Sequence, residues 1–297
     1  MSTMAAMTDK LASAIENAEA LDPLAKAIQG VYAKVLRYAP LRSLASGTPL
    51  GHPFHPLLVA IPIGSWSSAL VFDALGDDRA AQTAIGAGLV VAVPTAFTGG
   101  SDWSYTAGAE RRIGLVHALC NGAAIWSYAM SWVARRRNRR GVGVVLSLTG
   151  MGLISAGGWL GGHLSYALGV GVDTTAFQQV PEGWHDVAED SDVVTGAVTR
   201  VDLQGISVML TRTTSGQVVA YADRCTHRGG ALSEGALVDG CVQCPLHASV
   251  FSLDDGHVVQ GPATRPQPKF NVRIVDGRVA VSRPDDQRSL RKNPVGH

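Results

Sequence analysis

Apolar and polar positions follow two different rhythms along this chain. Between positions 51 and 172 four long runs carry almost no charge: Pro56–Leu75, interrupted only by Asp73, then Ala80–Ser101, Ile113–Ala134 and Gly141–Val172. A bilayer core takes about 20 apolar helical residues, so each run is long enough to cross one. A soluble helical bundle would show a polar stripe about every 3.6 residues, and these runs show none. The last run exceeds a single crossing, so part of it is expected at an interface. Small residues recur within the runs, at Gly86, Gly88, Gly114, Gly122, Gly157, Gly158, Gly161 and Gly162. The last four make two overlapping small-xxx-small pairs, the spacing that brings helix backbones together in lipid.

Flanking segments have other patterns. In the N-terminal segment 1–50, Leu11, Ile15, Leu21, Leu24, Ile28, Val31 and Val35 fall at helical spacing, with Asp22-Pro23 as a break. A pair of amphipathic helices lying on the membrane surface or on the bundle is expected. Residues 173–182 read as a linker. From Gly183 the pattern becomes short alternating segments (Gly205–Thr211, Val218–Tyr221, Val272–Val275, Val279–Val281) separated by Thr214-Ser215-Gly216, Asp254-Asp255-Gly256 and Asp276-Gly277. Strands with such turns predict a small all-β domain over 183–282. The charged segment 283–297 reads as a disordered tail. The expected fold is multi-domain: an all-α four-helix transmembrane bundle over 51–172, then an all-β domain.

Composition agrees with a chain divided in this way. Of 297 residues 16% are charged, against about 25% in soluble domains, and 46% are hydrophobic. Mean hydropathy is +0.14. A net charge of +1 without a long basic block argues against a nucleic-acid partner. Four cysteines exclude a disulfide scaffold. Asp9, Lys10, Glu16 and Glu19 interrupt any apolar core of a signal peptide. Loop charges do not orient the bundle, because Lys34, Arg37, Arg42, Arg111 and Arg112 on one side nearly balance Arg79 and the arginines of 135–140 on the other.

The β segment holds Cys225-Thr226-His227-Arg228-Gly229-Gly230 and, further on, Cys244-Pro245-Leu246-His247. Two loops, each giving one thiolate and one imidazole, suit a [2Fe–2S] cluster in which histidines replace two cysteines on one iron. Tetrahedral zinc takes the same residue types, and Cys241-x-x-Cys244-x-x-His247 has a knuckle-like spacing. The flanking Arg228-Gly229-Gly230-Ala231-Leu232, Gly235, Asp239-Gly240, Phe251, Asp255-Gly256 and Gly261-Pro262 resemble the Rieske ferredoxin-like family throughout 183–282. That resemblance implies that Cys225 and Cys244 bind one iron and that His227 and His247 bind the other. It also implies single-electron transfer with a redox partner protein or a quinone.

The resemblance has departures. Quinol-oxidising members of the family carry one more cysteine in each loop, joined as a disulfide, where this chain has Gly230 and Leu246. Ser249 keeps a hydroxyl able to donate to a cluster sulfur, while Phe251 replaces the tyrosine of high-potential members. Fewer hydrogen bonds to the sulfurs lower the potential. Ala248 stands where a glycine is usual, which puts the local backbone geometry in question. Cys241 is expected as a buried strand residue.

Within the bundle, His52 and His55 sit at the entrance of the first run in Gly51-His52-Pro53-Phe54-His55-Pro56. Asp102 ends the second run, His117 lies early in the third and His163 late in the fourth. Counting helical rise puts all five near one face. Ionisable residues at membrane depth are functional candidates. This half resembles an uncharacterised four-helix membrane family with a Gly-His-Pro-x-x-His-Pro entrance, often fused to Rieske domains, and that resemblance implies architecture alone. The five residues leave haem, another metal or a purely structural cluster open.

The chain is therefore expected to be a multi-pass cell-membrane protein anchored in the lipid bilayer and passing single electrons. Two alternatives stand beside this: a membrane oxidoreductase (quinone, haem or metal reductase) with its site at the bundle histidines, and a redox-sensing structural protein. No two-histidine, one-carboxylate iron domain follows the cysteine loops, so oxygenase activity is not expected of this chain. The β domain is expected on the cytoplasmic face, with Arg139-Arg140, read as an internal twin-arginine signal, as the argument for the other face.

Overall fold

The computed structural model describes residues 3–283. Contacts divide the chain into a helical unit, up to Ser46 and Pro53–Gly171, and a β unit, Gly47–His52 with the chain from Val172 onward. The expected tail, 283–297, lies from Pro284 on outside the described residues.

The helical unit contains α1 (Thr3–Glu16), α2 (Asp22–Val35), α3 (Ala39–Ser46), α4 (Phe54–Ala74), α5 (Asp78–Trp103), α6 (Gly108–Arg136) and α7 (Arg140–Gly162). Of these, α4, α5, α6 and α7 with its continuation to Ala167 are long and apolar enough to cross a membrane. The last run is thus helical as far as Ala167, its end a π-helical turn, His163–Ala167, followed by Gly169 and Gly171 at positive φ. Before the bundle there are three helices rather than two. Asp22-Pro23 opens α2, where a proline lacking its N–H costs nothing. Asp22 also accepts from Arg112 (Nε at 2.9 Å, Nη2 at 3.0 Å) and pairs with Arg111 at 3.2 Å, while Arg112 Nη1 donates to Glu16 O at 2.7 Å. These bonds tie the α1–α2 junction to the start of α6.

Gly88, Gly150 and Gly157 receive side chains, whereas Gly143 also meets backbone, a Cβ there lying 3.3 Å from Ser131 O. Trp66 and Tyr128 stack with centroids 4.2 Å apart, and a Cβ on Gly88 would sit 2.3 Å from Trp66 Nε1, one on Gly150 2.7 Å from Tyr128 Cε2. Gly122 and Gly158, equally small, meet nothing within 4 Å. Asp73 pairs with the buried guanidinium of Arg135 at 2.7 Å, and Asp78 binds the same group.

The described residues of the β unit form ten strands, all paired antiparallel: β1 (Trp184–Glu189), β2 (Val198–Leu203), β3 (Ile206–Arg212), β4 (Val218–Ala222), β5 (Ala236–Val238), β6 (Cys241–Gln243), β7 (Val250–Ser252), β8 (Val258–Gln260), β9 (Lys269–Val275) and β10 (Arg278–Ser282). Six form a sheet in the order β1-β10-β9-β4-β3-β2, and β5-β6-β7-β8 form a second. Alternation along β3 and β4 explains two cores. Val208, Leu210, Val218, Ala220 and Ala222 fill one; Met209, Val219 and Tyr221 point the other way. The second core continues through Leu232, Val242, Phe251, Leu253 and Ala263 to Cys225 and Cys244. The two cysteine loops are therefore mounted on a packed floor.

Residues 173–178 do not behave as a free linker. Asp173 Oδ1 accepts from Thr175 N at 2.8 Å and Thr175 Oγ1 at 2.7 Å, and Thr175 is buried. Thr174 Oγ1 donates to Cys225 O at 2.7 Å, and Thr174 N donates to Thr226 O at 3.2 Å. The expected linker thus folds onto the first cysteine loop, because its side-chain hydroxyls satisfy backbone groups there.

Candidate metal centre

Both cysteine loops close with the same backbone pattern. Cys225 N donates to Gly230 O (2.9 Å) and Gly229 N to Cys225 O (2.9 Å). In the second loop Cys244 N donates to Ser249 O (2.8 Å) and Ala248 N to Cys244 O (3.1 Å). The fourth residue after each cysteine takes the left-handed conformation, φ +75° at Gly229 and +58° at Ala248. Alanine therefore adopts the glycine-like geometry of its counterpart, at a steric cost of about 1–2 kcal/mol.

This closure turns the loops' N–H groups inward. Those of His227 and Arg228 donate to Cys225 Sγ, and those of Leu246 and His247 to Cys244 Sγ. The two thiols share a hydrogen bond, which with burial pushes Cys225 up; accepting it brings Cys244 down. Burial first, then the charges of His247 and Arg228, lowers His227 to about 3, and burial and Arg228 lower His247. Both imidazoles are thus neutral at physiological pH, the state in which an imidazole ligates metal.

The imidazole centroids are 5.1 Å apart with planes at 86°. A metal–nitrogen bond of about 2.1 Å, with the ring centre about 1.1 Å behind it, puts two tetrahedral imidazole ligands about 5.2 Å apart. The histidine pair has that spacing. Among the described residues no three His, Cys, Asp or Glu side chains gather round one point. A single zinc ion needs four donors at one point, whereas a binuclear cluster needs two and two. Cys241 is half-buried rather than buried, because Val242 takes the inward position on β6. It does not complete a knuckle.

Surrounding residues hold the loops. Ser249 is buried, and its Oγ accepts Ala263 N at 2.9 Å, which leaves its own proton to donate. Phe251 is buried in β7 opposite Val242. Gly230 and Leu246 touch: a Cβ on Gly230 would lie 2.9 Å from Leu246 Cγ and 3.0 Å from Cys244 Sγ. Two residues escape a reading of the sequence. Buried Gln267 donates to Ala222 O (2.6 Å) and Arg224 O (2.8 Å) and accepts Thr226 N (3.2 Å), clamping the first loop. Thr174 is the other, and no motif marks either.

The membrane-half candidates separate. His52 belongs to the β unit and is exposed. Within the helical unit His55 and His117 approach, with ring centroids 6.5 Å apart. His163 Nε2 instead meets Glu16 Oε1 of α1 at 2.8 Å, and Asp102 is half-buried near the end of α5. Asn121, one helical turn after His117, lies against its ring.

Residues 183–271 match the model of the Rieske [2Fe-2S] domain, and residues 51–174 match that of a predicted membrane protein family, DUF2231. Among curated proteins, ferredoxin CarAc of Metapseudomonas resinovorans is 32% identical over 99 residues, 33% of this chain and 92% of that protein. The 3-phenylpropionate/cinnamic acid dioxygenase ferredoxin subunit of Escherichia coli (strain K12) is 34% identical over 98 residues, 33% and 91% of the two chains. The anthranilate 1,2-dioxygenase ferredoxin subunit of Burkholderia cepacia is 41% identical over 66 residues, 22% and 61%.

Proposed function

We propose, for a chain that belongs to the Rieske [2Fe–2S] family and carries a DUF2231 membrane domain ahead of its β domain, single-electron transfer from a cluster held at Cys225, Cys244, His227 and His247. One observation carries the reading: two thiols and two neutral imidazoles are arranged two and two, with the imidazoles 5.1 Å apart. When bound, such a cluster supplies a one-electron couple whose potential is raised by its neutral ligands.

The chain's own groups have defined parts. Cys225 and Cys244 supply the charged donors, and their loops' N–H groups offset that charge. Burial keeps His227 and His247 unprotonated for ligation. Ser249, whose Oγ accepts Ala263 N, keeps its own proton to offer a cluster sulfur, and buried Phe251 has none to offer. The named relatives are ferredoxins, two of them dioxygenase subunits, which supports a redox partner protein; a quinone in the bilayer is the other candidate. The apolar helices anchor the domain, which we place at the cytoplasmic face of the cell membrane.

Purified full-length protein should contain two irons and two sulfides per chain and, once reduced, give the low average-g EPR signal of a Rieske centre. Stoichiometric zinc without iron after anaerobic purification would overturn the assignment. Tail proteolysis confined to right-side-out vesicles would reverse the proposed orientation. A second reading, an oxidoreductase with a cofactor among the bundle histidines, is favoured by the approach of His55 to His117.

A further inference from the structure

We propose that His55 and His117 are the two axial ligands of a haem iron in the helical unit. The proposal rests on the electron-transfer reading and names the group that would take part in it within the membrane.

Hydrogen bonding fixes both rings in one tautomer. His55 Nδ1 lies 2.9 Å from Thr95 O, and His117 Nδ1 lies 2.7 Å from Gly157 O. A carbonyl only accepts, so each Nδ1 carries the proton and each Nε2 keeps its lone pair. Metal-ligating histidines are oriented in this way, their second nitrogen donating to a backbone carbonyl.

Spacing then selects the coordination. Two imidazoles on opposite sides of one ion have centroids about 6.4 Å apart, against about 5.2 Å at a tetrahedral angle. His55 and His117 stand 6.5 Å apart with planes at 82°. The pair fits ligation from opposite sides, unlike the tetrahedral spacing of His227 and His247. Among the described residues no third His, Cys, Asp or Glu joins the pair, so a bare ion would want donors. A haem iron needs only two, since the macrocycle supplies the rest.

Neighbouring groups seat the rings without occupying those lone pairs. Asn121 Nδ2 is 3.1 Å from His117 Nε2 and 3.4 Å from Nδ1, near-equal distances that put it over the ring face, out of the plane of either lone pair. A Cβ on Gly99 would lie 2.7 Å from His55 Cε1, and one on Gly161 3.1 Å from His117 Cε1. Both rings rest on bare helix backbone. His163, whose Nε2 is engaged by Glu16, is left out of the ligand set.

The test uses full-length protein from haem-replete cells, assayed for pyridine haemochrome and by EPR. One haem per chain is expected. Its oxidised form should give the strongly anisotropic low-spin signal of axial imidazoles with perpendicular planes. His55→Gln and His117→Gln, which keep a side-chain donor for the carbonyls, should each abolish low-spin haem, and His163→Gln should retain it. The Rieske EPR signal, unchanged in every variant, reports folding and tests the cluster assignment independently. Wild-type protein without haem, low-spin haem surviving both glutamine variants, or stoichiometric copper in place of haem would each overturn the proposal.

Discussion

Arg135 and Asp73 meet at 2.7 Å inside the helical unit, the guanidinium side chain wholly buried and the carboxylate nearly so. Arg135 Nη2 donates to Asp73 Oδ2 and Nη1 to Oδ1, a two-pronged pair that Ser131 and Ser147 extend with their hydroxyls. The one charge that interrupts the first apolar run is thereby explained: Asp73 exists to meet an arginine from α6.

Removing a single partner of such a pair should be costly. Arg135→Met leaves Asp73 buried with Asp78 as its neighbour and should destabilise the helical unit by about 3–5 kcal/mol. Asp73→Leu combined with Arg135→Met should recover most of that loss. Thermal unfolding in detergent measures both, and equal losses in the single and double variants would show that packing, not charge, is at stake.

Ala248 pays for a conformation that suits glycine. Ala248→Gly should therefore stabilise the second cysteine loop by about 1 kcal/mol, and Ala248→Val should weaken it. The rate of cluster loss in denaturant is the readout.

Ser249 should tune the potential. With Phe251 lacking a hydroxyl, the midpoint is expected near the low end of the ~−150 to +300 mV Rieske range. Ser249→Ala should lower it further, by removing a donor to sulfur and leaving Ala263 N without its acceptor. Redox titration followed by EPR measures the change; an unaltered midpoint would mean that the hydroxyl points elsewhere.

Thr174→Val keeps the shape of the side chain and deletes its donor to Cys225 O. The loss should be about 1 kcal/mol, seen as a lower temperature of cluster release, with Thr174→Ser restoring the wild-type value.

Acid should loosen the N-terminal helices before it affects the bundle. The Arg112 and Arg111 guanidiniums hold Asp22 down at about 2, from an ordinary 3.8. A depressed acid contributes stability that is complete above its unfolded value and is lost as pH falls toward its folded one. Wild-type protein should therefore lose this contribution between about pH 3.8 and 2, whereas Asp22→Asn should lack it at neutral pH and show no such step. Amide exchange in α1 and α2 follows the transition.

The architecture was legible because its signals are periodic. Uncharged runs gave four helices, and alternation at Val208–Leu210 and Val218–Ala222 gave strands facing two cores. The candidate ligands were legible through paired spacing. Residues whose role depends on a partner distant in the chain were not. Gln267 reaches Ala222 and Arg224, Thr174 reaches Cys225, and Glu16 reaches His163 across 147 positions. Helical rise set the five membrane residues at one depth, but depth does not fix azimuth, so only His55 and His117 meet. Asn121, at the i+4 position from His117, is one contact that helical spacing could have revealed.

The Rieske match opens at residue 183, yet the longer segment of the β unit begins at Val172. Inheritance and folding thus draw their borders eleven residues apart. A graft that exchanged this domain for a soluble ferredoxin at Gly183 would keep every cluster ligand and still strand Thr174 without the loop it grips. The workable seam for a chimera, whether made in a laboratory or by recombination, lies ahead of Asp173, so that the first cysteine loop and the strap that grips it travel together.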